Sequence, residues 1–171
     1  HYAIGDTYLN ANMNNEAIEE YEIVMQKLHK VSDSEKLQEK VLIQLIPTLI
    51  RMGRMDKAKA YLDQMEQMND YQHSRFIENI FQAYYYLHNN DMDKVRKYIQ
   101  EAEEWYEYYP FYFHSSILKY IQAEYAKRIG DDELAIKLYN ELTINTSSAN
   151  VYNRYLKMKN SLAQLYTKQS R

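Results

Sequence analysis

Four stretches of this chain begin with Gly or Asn and repeat a single pattern: NMNNEAIEEYEIV from Asn12, GRMDKAKAYLDQM from Gly53, NDMDKVRKYIQEA from Asn90 and GDDELAIKLYNEL from Gly130. Five positions after each opening residue stands a small or branched one, Ala17, Ala58, Val95 or Ala135. Four further on comes a large apolar one, Tyr21, Leu62, Ile99 or Tyr139. A second recurring segment precedes every turn: AIGDTYLNAN from Ala3, LIPTLIRMG from Leu45, QAYYYLHNN from Gln82 and QAEYAKRIG from Gln122. LAQLYTKQS from Leu162 opens a fifth copy. Its small position is filled by Gly5, Ile46, Ala83, Ala123 and Ala163, spaced 41, 37, 40 and 40 residues apart. A period of this length belongs to a supersecondary unit that cannot bury its apolar face alone, so successive copies must stack.

The apolar spacing within each copy is helical, and only 3 Gly and 2 Pro interrupt 171 residues. An all-β chain needs a turn signal about every ten residues, so the expected class is all-α. The pattern predicts helix pairs at 1–11 with 14–30, 34–52 with 55–69, 71–89 with 92–108 and 111–129 with 132–145, then an unpaired helix over 148–169. Small residues at the crossings let paired backbones approach, while Tyr and Leu fill the space to the next hairpin. The chain opens in mid-pattern at His1 and is expected to be a piece of something longer.

These residues resemble the tetratricopeptide repeat, whose signature runs L-G-x2-Y and then A-x3-F across a helix-turn-helix. Ile4-Gly5-x2-Tyr8 followed by Ala17-x3-Tyr21 carries the likeness, and Ala163-x2-Tyr166 matches the opening of a further repeat. No Trp opens the repeats, no Pro closes them, and the period is longer than the usual 34, as in the extended repeats of bacterial signalling and peptide-sensing proteins. The resemblance implies a right-handed superhelical stack of about four antiparallel hairpins plus a terminal helix. It would form one repeat domain over 1–171, with repeats at 1–30, 34–69, 71–108 and 111–145.

Composition narrows the function. A net charge of -3, with Lys and Arg spread along the chain, gives no basic footprint for nucleic acid. No run of 18 apolar residues offers a membrane span. The absence of Cys removes disulfides and thiolate metal sites and fits a cytoplasmic setting. GDDE at Gly130–Glu133 reads as a capping turn: Gly stops one helix in the left-handed conformation and an Asp or Asn caps the next, whereas a calcium loop needs alternating oxygen ligands over about 12 residues. The five His, at 1, 29, 73, 88 and 114, show no zinc spacing. His114 beside Ser115 and Ser116 lacks the third member of a catalytic triad, so neither enzyme, metal nor cofactor is expected. Pro47 falls inside a helix and is expected to kink it. WYEYYPFYF, from Trp105 to Phe113, is either a loop packed on neighbouring helices or a surface for a partner or for self-association.

By resemblance the first helix of each pair lines a concave face where peptides lie. Helical spacing from the small residue places Ile43, Ile50, Arg51, Ile80, Tyr84, Leu87, His88, Tyr120, Glu124, Lys127, Arg128 and Asn160 on it, with Tyr2, Asp6, Leu9, Pro47, Gln164 and Lys168 beside them. The clamp by which some relatives grip a C-terminal carboxylate is missing, since Tyr2 and Asp6 occupy its early positions. The expected function is a non-catalytic module that binds a peptide or protein segment combining an apolar anchor with an acidic group. Such a module would be the sensing or scaffolding part of a larger regulatory protein. Abundant Asn, Lys, Ile and Tyr with scarce Gly and Pro is the bias of an AT-rich genome and points to a bacterial source. The rival reading is a homodimerising assembly module with no peptide ligand.

Overall fold

A computed structural model of the chain describes residues 1–31, 34–68, 72–106, 112–144 and 152–170. Among them all regular structure is helical: α1 (Tyr2–Asn10), α2 (Asn14–Leu28), α3 (Glu35–Arg51), α4 (Met55–Gln67), α5 (Gln72–His88), α6 (Met92–Tyr106), α7 (Tyr112–Ile129), α8 (Asp132–Ile144) and α9 (Tyr152–Gln169). The repeat pattern therefore located every helix, and the ends of α1 to α8 fall close to where the turn residues put them. The expected start of α9 at 148 lies outside the described residues.

The chain divides into two compact units, His1–Tyr109 and Pro110–Arg171. In the first, α1 pairs with α2, α3 with α4 and α5 with α6 as hairpins. These stack through α2 on α3, α4 on α5, and α3 directly on α5. In the second unit α7 pairs with α8, and α9 packs on α8. α2, α4 and α8 are thus each sandwiched between their own first helix and the next one, which is how a hairpin with two apolar faces hides both.

All four tight turns are built alike. Asn12, Gly53, Asn90 and Gly130 have φ of 61°, 69°, 59° and 85°, the left-handed conformation that Gly and Asn tolerate best. Each donates its N–H three residues back, to Leu9, Ile50, Leu87 or Lys127, at 3.0–3.3 Å. The next residue donates five back, from Met13 to Tyr8, Arg54 to Leu49, Asp91 to Tyr86 and Asp131 to Ala126, at 2.8–3.0 Å. That bond pair is the Schellman stop, which satisfies carbonyls the ended helix would otherwise orphan. The expected side-chain cap on the following helix holds in only two turns. Asp91 Oδ1 accepts the Lys94 N–H at 3.3 Å and Asp131 Oδ1 accepts that of Leu134 at 3.1 Å. Met13 and Arg54 fill the same position without a side-chain bond, because neither carries a short acceptor.

The small positions do what the pattern demands. A methyl added at Gly5 would lie 2.7 Å from Cε1 of Tyr21, so the absent side chain is what lets that ring approach α1. Ile46, Ala83 and Ala123 are likewise buried, as are Ala17, Ala58, Val95 and Ala135 opposite them. α3 runs on through Pro47, which is itself buried. In the second unit Ala123, Ala126, Ala135, Tyr139, Leu142, Met158, Leu162 and Leu165 form one core. The spacing of α9 predicts a packed face of Leu156, Leu162, Leu165 and Tyr166; Leu162 and Leu165 enter this core, and the side chain of Leu156 lies outside the described residues. Tyr166, on the edge of the same face, stays 50% exposed and its hydroxyl accepts from Asn140 Nδ2 at 3.3 Å.

Candidate functional site

The first helices carry the residues expected to meet a ligand, and the structure divides them into two groups. Ile50, Ile80 and Leu87 are buried, and Tyr84 is only 7% exposed, its ring meeting His88 edge-on at 4.9 Å. These four are packing residues of the first unit, so the apolar centre of the expected surface is already occupied by protein. Ile43 and Arg51 are half-buried and His88 is exposed. In the second unit Tyr120, Glu124 and Lys127 are half-buried, while Arg128 and Asn160 are exposed.

Several of the polar members are committed to internal contacts. Arg51 Nη2 donates to Asn14 Oδ1 at 3.0 Å, from the last turn of α3 to the first residue of α2. Lys168 makes the equivalent contact in the second unit, from the last turn of α9 to Asp132 at the start of α8. A cation there answers the acceptor at the start of the preceding second helix, and Arg54 to Asn15 at 2.8 Å and Lys57 to Glu22 at 2.7 Å add to the first tie. Lys127 Nζ reaches Ser161 Oγ at 3.0 Å and Gln164 Oε1 at 3.3 Å, bridging α7 to α9.

A feature that sequence reasoning missed joins first to second helices. The Tyr21 hydroxyl donates to Asp6 Oδ1 at 2.6 Å, and the Tyr139 hydroxyl donates to Glu124 Oε1. Burial and then the bond to the carboxylate push both phenol pKa values up from their ordinary 10.0. The acid follows the small residue of the first helix, and the tyrosine stands 15 positions later in both hairpins. In the other two hairpins the same spacing joins Pro47 to Leu62 and Tyr84 to Ile99, apolar with apolar. The signal was in the chain: an acid occurs at the first position only where a tyrosine occupies the second. Asp6 and Glu124, expected on a ligand surface, serve here as hydrogen-bond acceptors within their hairpins.

Two of the three carboxylates of GDDE are accounted for in the same way. Asp131 caps α8 and Asp132 holds Lys168. Among the described residues no three of His, Asp and Glu are grouped so as to hold a metal ion. No described helix is long and apolar enough to cross a membrane. Of the aromatic segment, Trp105 is half-buried and Tyr106 is 42% exposed, while 107–111 and the side chains of 112–114 lie outside the described residues. Comparison with protein-family models, curated proteins and solved structures finds no match.

Proposed function

We propose that the chain is a non-catalytic repeat module of the tetratricopeptide type that binds a peptide or protein segment. The observation that carries this reading is the serial hairpin architecture. Four hairpins share one turn geometry, and first helices of consecutive hairpins, α3 and α5, lie side by side. Within the first unit this sets the outer edge of α3 beside that of α5, and the concave surface of repeat proteins is assembled in this way.

The accessible part of that edge differs from the apolar centre the spacing suggested. In the first unit it offers Ile43, Arg51 and His88, and in the second Tyr120, Arg128 and Asn160. Within each unit an apolar or aromatic residue is accompanied by a basic one, which suits an acidic segment with a modest apolar anchor. Half-buried aromatic anchors contribute most of the affinity at such surfaces, whereas rim charges mainly set association rate and salt sensitivity.

The test is a display screen of peptide segments against the full chain, followed by titration of Tyr120→Ala, Ile43→Asp and Arg128→Glu. Each variant is first checked by circular dichroism. Tyr120→Ala or Ile43→Asp is expected to weaken binding at all salt concentrations by tenfold or more, and Arg128→Glu chiefly at low salt. Equal affinity in all three variants would overturn the first-helix assignment. Failure to capture any segment, together with a concentration-dependent dimer in light scattering, would favour the assembly reading instead.

A further inference from the structure

The chain has no Cys, so any covalent tie between its helices has to come from another side chain, and 19 of its residues are Tyr. In the third hairpin Tyr86 of α5 and Tyr98 of α6 lie with ring planes 3° from parallel and centroids 5.6 Å apart. Carbon atoms in contact sit at about 3.5–4.0 Å, so parallel rings with centres this far apart overlap at their edges. Both residues are half-buried, which leaves the pair within reach of an oxidant in solution.

The repeat does not require this pair. The same two places hold Tyr8 and Glu20 in the first hairpin, Leu49 and Tyr61 in the second, and Ala126 and Leu138 in the fourth. Tyr2 and Tyr21, by contrast, are tilted by 49° at 6.1 Å, and Tyr21 is buried with its hydroxyl on Asp6. Tyr85 meets Tyr86 edge-on, at 87°. A cation also stands by each ring of the stacked pair: Lys94 Nζ is 4.5 Å from the Tyr86 centroid and Lys97 Nζ 5.0 Å from that of Tyr98. Asp91 and Glu101 hold these ammonium groups, at 3.3 and 3.6 Å. Positive charge there opposes a ring radical cation, so an oxidised ring gives up its hydroxyl proton and becomes a neutral radical. Two neutral radicals do not repel.

We propose that Tyr86 and Tyr98 are an oxidative cross-linking site, joined as dityrosine by hydrogen peroxide and a one-electron oxidant of the peroxidase class. Each phenol loses one electron and its hydroxyl proton. The two radicals pair in a new bond between one carbon of each ring, ortho to the hydroxyl. The hydrogen on each joined carbon then moves to the oxygen and restores the phenol. The two electrons and two protons reduce one hydrogen peroxide to two waters, so the protein loses two hydrogen atoms. The product fastens α5 to α6 across the Asn90 turn and closes a short loop, as a disulfide would. The site lies in the third hairpin and stands independently of the first-helix surface proposed above.

The full chain, dilute enough to disfavour contact between copies, is treated with a peroxidase and limiting hydrogen peroxide, then denatured and digested with trypsin. Cleavage after Lys94 and after Lys97 leaves the two tyrosines on separate peptides, 76–94 and 98–119. They are expected as one species lighter by two hydrogen atoms than their sum, with fragmentation placing the bond on Tyr86 and Tyr98. The blue emission of dityrosine should accompany it. Tyr98→Phe should lower that emission several-fold, whereas Tyr61→Phe, which alters a half-buried tyrosine of α4, should leave it unchanged. Circular dichroism checks that both variants fold, and the bond's position in the parent decides the matter if one does not. Treatment in concentrated urea should lower the yield of this link several-fold, because the stacked geometry is lost. The cross-linked protein should unfold at a higher urea midpoint than the untreated one. No link, a bond placed on other tyrosines, links mainly between copies, an equal fall in Tyr61→Phe or an equal yield in urea would each overturn the proposal.

Discussion

At the scale of single residues the tyrosine–carboxylate pairs make the sharpest predictions. Tyr21→Phe keeps the ring and removes only the hydroxyl, leaving Asp6 without its donor. The expected loss is about 1–2 kcal/mol, measured by chemical denaturation, with a similar loss for Tyr139→Phe against Glu124. The raised phenol pKa values also fix a pH response. Above about pH 10 tyrosines of the unfolded chain ionise while Tyr21 and Tyr139 stay protonated in the folded one. The unfolded state then holds fewer protons, and stability falls by up to about 1.4 kcal/mol per pH unit for each group. The double Phe variant should start less stable at pH 8 yet decline more gently between pH 10 and 11.5. Gly5→Ala tests the close approach beneath the same ring: a methyl 2.7 Å from Cε1 must displace a buried side chain, at a cost of about 1–3 kcal/mol in a thermal or urea melt. At this scale the sequence was only partly legible. Small positions announce themselves by recurring, but whether an acid faces solvent or a neighbouring phenol depends on a pairing 15 residues away. Ile80, Tyr84 and Leu87 were read as surface because helical spacing defines a face without saying what covers it.

At the scale of elements, legibility was high for boundaries because each turn needs a residue able to take positive φ, and only Gly and Asn fill that place. Asn90→Ala keeps the β-carbon in the left-handed region but removes the amide that eases it there, and should lower stability by about 1 kcal/mol, whereas Asn90→Gly should be neutral or slightly stabilising. Comparing their urea midpoints separates backbone strain from loss of the Asn side chain. The terminal helix was legible in its buried residues but not in its open side, since the alternation of Leu162 and Leu165 marks one packed face and is silent about the other. Leu165→Ala should cost about 2–5 kcal/mol in the second unit, because Leu165 sits in the core with Tyr139 and Leu142.

At the scale of the whole chain, helices pack on sequence neighbours within each unit, with α3 on α5 as the reach across one hairpin. Contacts this local cost little loop-closure entropy, so refolding should be complete within milliseconds, followed by stopped-flow fluorescence of the sole Trp, Trp105. Similar repeats placed in series carry a hazard, however: any first helix presents nearly the same shape to four second helices. The two kinds of 15-residue pair guard against exchange between unlike hairpins. If α1 met α4 in place of α2, Asp6 would face Leu62, a carboxylate set against a leucine with no donor; if α3 met α2, the Tyr21 hydroxyl would face Pro47. Each wrong match strands a polar group at a site shielded from water. Along the chain the order is polar, apolar, apolar, polar, so a slip of one repeat at either end sets unlike partners together, and the pattern acts as an address that keeps the outer hairpins from exchanging helices with the middle two.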